Sequence, residues 1–186
     1  MKKGLDVYNR KRNFSKTNEP VGKKVGPKKR HIFVVQHHDA RRDHYDFRIE
    51  VGGVLVSWAI PKGPSYDRKD KRLAVKVEDH PYNYKDFEGT IPKGQYGGGT
   101  VMVWDEGYYE CDENTKDSLK KGKLKFRLYG QKLKGAWSIF KFKDDNWILI
   151  KEKDDYYVYD DITKIDTSVK TGRTMDEIAS GRTIKK

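Results

Sequence analysis

The sequence predicts a mainly β protein: a small closed or nearly closed β-barrel with a few short helices and a basic N-terminal arm. From residue 31 onward, short segments of alternating apolar and polar residues recur between turn residues, a pattern typical of all-β barrels and sandwiches. Helical periodicity is scarce. A chain of 186 residues suits a single core of ordinary size, so we expect one domain.

The first three segments predict adjoining strands. HIFVVQ (31–36) opens the series, and HYDFRIEV (44–51) and VLVSWAI (54–60) flank Gly52-Gly53. Two glycines at this place supply the positive φ angles of a tight hairpin. The other predicted strands are RLAVKVED (72–79), TVMVWDEGYYE (100–110), KLKFRLYG (123–130), GAWSIFKF (135–142) and NWILIKEK (146–153).

Two segments favour short helices. TKDSLKKG (115–122) is one, and TMDEIASG (174–181), with Thr174 as its N-cap and Gly181 past its end, is the other. Patterning is weak from residue 154, so the core is expected to close near residue 160. The predicted organisation is therefore an arm at 1–30, a barrel domain at 31–160 and a polar tail with a short helix at 161–186.

The charge of the chain is concentrated at its start. Of the net +12, residues 1–30 contribute +9, with eleven Lys or Arg against two acids. Such a segment cannot build its own core, so it is either mobile or draped over the domain. Contact with phosphate backbones is its plainest use, and a solubilising tail is the alternative.

The single cysteine, Cys111, excludes an intrachain disulfide. No apolar run is long enough to span a membrane, and the N-terminus lacks the apolar stretch of a signal peptide. We therefore expect a cytoplasmic protein with no membrane partner.

The strand at 44–51 concentrates polar residues of unusual chemistry. Residues two apart face the same side of a strand, so His44, Asp46 and Arg48 form a row with spacings of about 7 Å. His38 precedes them across the ARRD turn, and a further imidazole, His80, ends a later strand in EDHPYNY.

This residue set favours a divalent-metal phosphoesterase site. Two imidazoles and a carboxylate can hold a metal, and an arginine can bind a phosphate through two parallel hydrogen bonds. Mixed nitrogen and oxygen ligands suit Mn, Zn, Fe or Co better than Mg or Ca. Surface salt bridges between the same residues are the alternative on spacing alone.

Other features are less specific. The glycine-rich loop DFEGTIPKGQYGGGTV (86–101) favours tight turns over an anion-binding loop, because no phosphate-loop motif is present. Lys62 and Arg72 are candidate phosphate contacts near strand ends. The four tryptophans fall in predicted strands, where core packing is favoured over base stacking; they are Trp58, Trp104, Trp137 and Trp147.

The assembled motifs resemble the 3′-phosphoesterase domain of bacterial DNA ligase D, which also occurs as a free-standing protein. The resemblance runs in order from about residue 8 to residue 150. Its most specific part is the pair HDARRDHYDFR and EDHPYNYKDFEGTIPKGQYG.

The resemblance implies a β-barrel with its site in a central cleft and a manganese-dependent activity on DNA or RNA–DNA 3′ ends, with cobalt a possible substitute. Such enzymes remove a terminal ribonucleoside and then the remaining 3′-phosphate, leaving a 3′-hydroxyl for ligation in non-homologous end joining. By motif, the metal ligands are His38, Asp46 and His80. The phosphate-binding and catalytic residues are His44, Arg48 and Tyr84, with His44 as proton donor and Lys62 and Arg72 assisting.

The chain departs from the family pattern at His37, where a lysine is expected. Because neighbouring residues of a strand face opposite sides, His37 should point away from the site that His38 faces. No ligase module fits in the 36 residues after residue 150, where the resemblance ends, so ligation would need a separate partner, and we expect a monomer. Two other hypotheses remain: a noncatalytic DNA-end binding module that recruits a ligase, and a hydrolase of cyclic phosphates or small phosphomonoesters.

Overall fold

A computed structural model describes residues 4–26 and 28–183. Its strands are β1 (Ile32–Ala40), β2 (His44–Val51), β3 (Val54–Ile60), β4 (Arg72–Pro81), β5 (Gly89–Ile91), β6 (Gly99–Glu110), β7 (Lys123–Gly130), β8 (Lys134–Lys143) and β9 (Asn146–Lys151). Its α-helices are α1 (Asp6–Arg10), α2 (Thr115–Lys120) and α3 (Met175–Ala179), and 3₁₀ turns cover Tyr82–Asp86 and Ile162–Lys164.

The strands form a closed antiparallel barrel. Neighbours follow the order β1-β2-β3-β4-β9-β8-β7-β6, and β6 pairs with β1 to close the ring of eight strands. The twelve-residue β6 pairs with β1 along one edge and with β5 and β7 along the other. The predicted fold class is therefore confirmed.

Apolar side chains fill the barrel. Alternate residues of β2, among them Tyr45, Phe47 and Ile49, point into one large buried cluster. All four tryptophans belong to that cluster and are at most 4% exposed, which confirms the prediction that they pack in the core. These side chains occupy the interior of the barrel.

The predicted hairpin and helices form, whereas one strand end and one short strand differ from the prediction. Gly52 and Gly53 have φ angles of 61° and 87°, as the predicted hairpin requires, and Gly53 lies so close to the Val25 carbonyl oxygen that a Cβ would overlap it. Both predicted helices form, the second with a capping box at Thr174. The first strand, however, continues four residues beyond Gln36, and the short β5 was not predicted, because glycine-rich loops and polar strand ends carry no apolar alternation.

The N-terminal segment lies on the outer wall of the barrel. Tyr8 of α1 is fully buried in a second apolar cluster with Val34, Leu55 and Tyr84. Residues 1–3 and 27 of the predicted arm lie outside the described residues.

The C-terminal segment also packs on the barrel. Ile162 and Ile178 belong to the main core cluster, so apolar packing continues past residue 160; the division into arm, barrel domain and tail stays a prediction. Within the described residues, no helix has the length and apolarity needed to cross a membrane.

Candidate active site

The predicted polar row lies on the outer face of β1 and β2. His38 is the Cα partner of His44, and Gln36 is the partner of Asp46, so antiparallel pairing sets these side chains next to each other. The cleft that this row lines is also lined by Arg12 and Glu19 of the N-terminal segment and by Tyr84 of the 3₁₀ turn at Tyr82–Asp86. It encloses about 330 Å³.

Three side chains come within reach of one metal ion. Ligand atoms of His38, His44 and Asp46 all lie within 4.8 Å of one another. His80, which the sequence predicts as the third ligand in place of His44, lines the same cavity. The predicted ligands therefore share one site, and which imidazole completes the set stays a prediction.

Backbone carbonyl groups fix the orientation of each imidazole. Nε2 of His38 donates to the Gly97 carbonyl (2.8 Å), Nδ1 of His44 donates to the Arg42 carbonyl (2.8 Å), and Nδ1 of His80 donates to the Glu78 carbonyl (2.9 Å). In the neutral ring the other nitrogen of each histidine therefore carries no hydrogen and can bind a metal ion or a proton, and hydrogen bonds of this kind orient the imidazoles at metal sites.

The ionisation of these groups suits their predicted roles. Burial raises the pKa of Asp46, but the Arg48 guanidinium and the neighbouring imidazoles lower that pKa well below its ordinary value, so the group is a carboxylate. Burial and the charges of Arg48 and Arg12 hold the pKa of His80 well below its ordinary value, which leaves a neutral imidazole. Burial opposes the charge of His44, yet Asp46 raises its pKa overall, which favours a protonated ring.

Arg48 is held rigidly at the bottom of the cleft. Its Nε donates to Gln36 Oε1 (2.7 Å), its Nη2 lies 3.2 Å from Asp46 Oδ2, and its guanidinium lies 4.9 Å from the ring centre of Tyr84. The side chain is 3% exposed, and Nη1 has no hydrogen-bond partner among the described residues. A buried guanidinium donor without a partner is costly unless an anion accepts from it.

Tyr84 supports this arrangement from the side. Its hydroxyl donates to Glu19 Oε1 (2.8 Å), and burial, followed by the Glu19 charge, raises its pKa well above the ordinary value, so the group stays a phenol. The Tyr84 carbonyl accepts from the Gln36 amide (2.9 Å), which ties the 3₁₀ turn to β1.

The N-terminal segment contributes Arg12 and Glu19 to the cleft, and the sequence analysis predicted a role for neither. The buried Arg12 stacks on the Tyr8 ring at 3.7 Å, and its Nε lies 2.9 Å from Glu19 Oε1. Its Nη2 donates to His80 Nε2 at 3.3 Å, because the other nitrogen of that ring already carries the hydrogen. No sequence signal marks Arg12 among the arm's eleven basic residues, whereas Gln36, also missed, is a polar residue at an even spacing from His38.

Lys62 and Arg72 lie together, but not on the main cleft. They line a second cavity of about 270 Å³ with Asp70, whose carboxylate lies 3.0 Å from Arg72 Nη2. The other six predicted site residues line the main cleft. An assisting role for Lys62 and Arg72 stays a prediction.

Comparison with known proteins assigns the family. Residues 36–141 match the family model described as the DNA ligase D 3′-phosphoesterase domain. This chain belongs to that family. The chain is 49% identical over 160 residues to the multifunctional non-homologous end joining protein LigD of Pseudomonas aeruginosa. It is 42% identical over 160 residues to LigD of Mycolicibacterium smegmatis and 40% identical over 159 residues to LigD of Mycobacterium tuberculosis.

These alignments cover 81–84% of this chain but only 19–21% of each relative. The chain thus spans about a fifth of the length of these relatives. The resemblance drawn from its motifs is confirmed.

His37 faces away from the cleft, as alternation predicts. Its ring stacks on Tyr45 with centres 4.3 Å apart, and its two nitrogens lie 2.7 Å from carboxylate oxygens of Asp43 and Asp166. This histidine joins the β1–β2 turn to the C-terminal segment.

Proposed function

We propose that this 3′-phosphoesterase domain is a manganese-dependent enzyme that heals DNA 3′ ends in end joining. It removes a 3′-terminal ribonucleoside to leave a 3′-phosphate, and then removes that phosphate to leave a hydroxyl. The observation that carries the proposal is the buried Arg48 guanidinium, which lines a cleft together with the candidate metal ligands and whose Nη1 has no hydrogen-bond partner among the described residues. A phosphate oxygen satisfies that donor with charge-assisted hydrogen bonds.

The donor set fits a transition-metal ion. His38 and Asp46, with His80 as the third ligand, supply two neutral nitrogens and one carboxylate, which suits Mn²⁺ or Co²⁺ better than Mg²⁺. When bound, such an ion polarises the phosphoryl oxygen and lowers the pKa of a bound water. For His80 to serve, Nε2 must exchange the Arg12 contact for the metal.

The protein residues supply binding and a proton. Arg48 binds the phosphate and, with Gln36 and Tyr84 behind it, keeps a fixed orientation. His44, whose raised pKa favours the protonated ring, donates a proton to the departing oxygen through Nε2, which lies 3.4 Å from Asp46 Oδ1.

Two features support a nucleic-acid substrate. The net charge of +12 attracts a phosphate backbone, and the named relatives are end-joining proteins. A monomer that hands its product to a separate ligase is part of this proposal. A noncatalytic DNA-end binding module is the alternative; it predicts salt-dependent binding without metal or product.

The test uses a labelled primer–template ending in ribonucleotides, incubated with Mn²⁺ or with chelator, and resolves the products on a sequencing gel. The expected result is stepwise formation of a 3′-phosphate and a 3′-hydroxyl only with metal. Asp46→Ala should lower the rate by more than about 100-fold, while Asp39→Ala, an exposed β1 residue, should not. A wild-type rate for Asp46→Ala contradicts the site, and a retarded but unprocessed primer supports the binding module.

A further inference from the structure

Tyr96 is an exposed aromatic side chain on the rim of the candidate active site. It lines the same cleft as Arg48 and Asp46, yet it is 46% exposed, whereas Tyr84 in that cleft is 2% exposed. Its loop makes two successive turns, closed by the bonds Gln95 N–H to the Pro92 carbonyl and Gly98 N–H to the Gln95 carbonyl. The ring therefore projects to the cleft mouth and is not packed in the core.

Two cations of the N-terminal segment hold the ring in place. Lys11 Nζ donates to the Tyr96 hydroxyl (3.1 Å) and lies 4.7 Å from the ring centre, and the Arg12 guanidinium lies 5.3 Å from it. The next residue, Gly97, accepts a hydrogen bond from His38, so the loop that carries the ring is also fixed to the metal-ligating strand. A ring that these contacts already hold in place loses little conformational entropy when a ligand stacks on it.

We propose that Tyr96 stacks on the base of the 3′-terminal nucleoside and is a specificity-determining residue for its removal; this inference rests on the proposed function. An exposed aromatic face beside cations matches the way proteins bind unpaired bases, because every base has a π-face and the neighbouring phosphate is anionic. Tyr96 and Arg48 line one cavity of about 330 Å³, so the proposed stacking partner is the unit bonded directly to the bound phosphate.

The terminal nucleoside is the unit that the ring can reach. Bases further up a primer strand are paired and stacked between neighbours, whereas the last base has a free face and is released most easily from the duplex. The two substrates of the proposed enzyme differ in whether they offer a terminal base to the ring. The diester carries a nucleoside beyond the scissile phosphate, and the 3′-phosphate end does not.

The experiment compares steady-state kinetics on these two ends with matched duplexes and saturating Mn²⁺. Tyr96→Ala should raise KM for removal of the ribonucleoside by roughly 5- to 150-fold, the range of one lost base stack. It should leave KM for the 3′-phosphate end within about twofold. Tyr96→Phe, which keeps the ring and loses only the hydrogen bond from Lys11, should raise KM for the ribonucleoside end far less than Tyr96→Ala does. Tyr159→Ala, which removes a tyrosine that is 95% exposed and outside the cleft, is the control.

Equal losses on both substrates overturn the inference, since they place the role of Tyr96 in holding Gly97 and His38 instead of the terminal base. Unchanged kinetics on both substrates overturn it as well. A wild-type protein that processes neither end refutes the proposed function itself, and the inference fails with it, so the two failures are distinguishable.

Discussion

Arg12→Met tests whether the N-terminal segment is an integral part of the structure. The Arg12–Glu19 ion pair is buried, with side-chain exposures of 4% and 1%. Removing the guanidinium leaves a carboxylate out of water, whose remaining side-chain hydrogen bonds within the described residues come from the neutral hydroxyl groups of Thr17 and Tyr84. Breaking one side of a buried pair costs about 3–5 kcal/mol, which for a chain of this size lowers Tm by roughly 6–20 °C.

The assay is urea unfolding followed by tryptophan fluorescence, since all four tryptophans are buried. Lys11→Met is the matched control: its pair with Glu78 is 40% exposed on the lysine side, so the loss should stay below about 1 kcal/mol. The double variant Arg12→Met/Glu19→Gln should be more stable than Arg12→Met alone, because no unpaired charge remains. If Arg12→Met loses no more than Lys11→Met, the segment does not bury this pair, and the account of the cleft wall is wrong.

Three further outcomes follow from local geometry. Gly53→Ala should lose more stability than Gly52→Ala, which has the same kind of positive φ but free space around it. The loss common to both, from a side chain in the left-handed region, is about 1–2 kcal/mol, and equal unfolding midpoints would contradict the close approach of the arm. Gln36→Leu should cost about 1–3 kcal/mol by leaving the Nε of Arg48 without an acceptor, and an unchanged free energy of unfolding would refute that bond. Burial opposes the charge of Glu88, but its hydrogen bonds lower the pKa of this carboxyl below the ordinary 4.5, so its contribution to the free energy of unfolding is present above pH 4.5 and is lost as the pH falls further. Glu88→Gln should therefore destabilise the protein at pH 7 and weaken the loss of stability in acid. Parallel plots of the free energy of unfolding against pH for the two proteins would argue against this role.

The sequence specified the barrel well because strands such as β2 and β7 alternate between apolar and polar residues. In β2 the apolar residues turn inward and His44, Asp46 and Arg48 turn outward, so periodicity alone separates core from site. The sequence predicted the site less completely where its contacts join segments that are far apart in the chain. Arg12 reaches His80 across 68 residues, and no local pattern encodes a meeting of that kind.

The contact between the loop around Tyr96 and His38 could not be predicted from the sequence for a different reason. Its glycines predict turns, but which carbonyl meets an imidazole depends on how β5 and β6 place the loop over β1. The separation of Lys62 and Arg72 from the main cleft is likewise set by where β3 ends and β4 begins.

The neighbouring histidines of β1 also limit how this chain can change. His37 binds the C-terminal segment on one side of the wall, while His38 faces the cleft on the other. An insertion or deletion of one residue before them would slip the strand register and exchange the two surfaces. It would move an imidazole out of the cleft and a polar side chain into the aromatic core at once. The length of this strand is therefore more tightly constrained than its composition, and indels here should be far rarer among functional variants than substitutions.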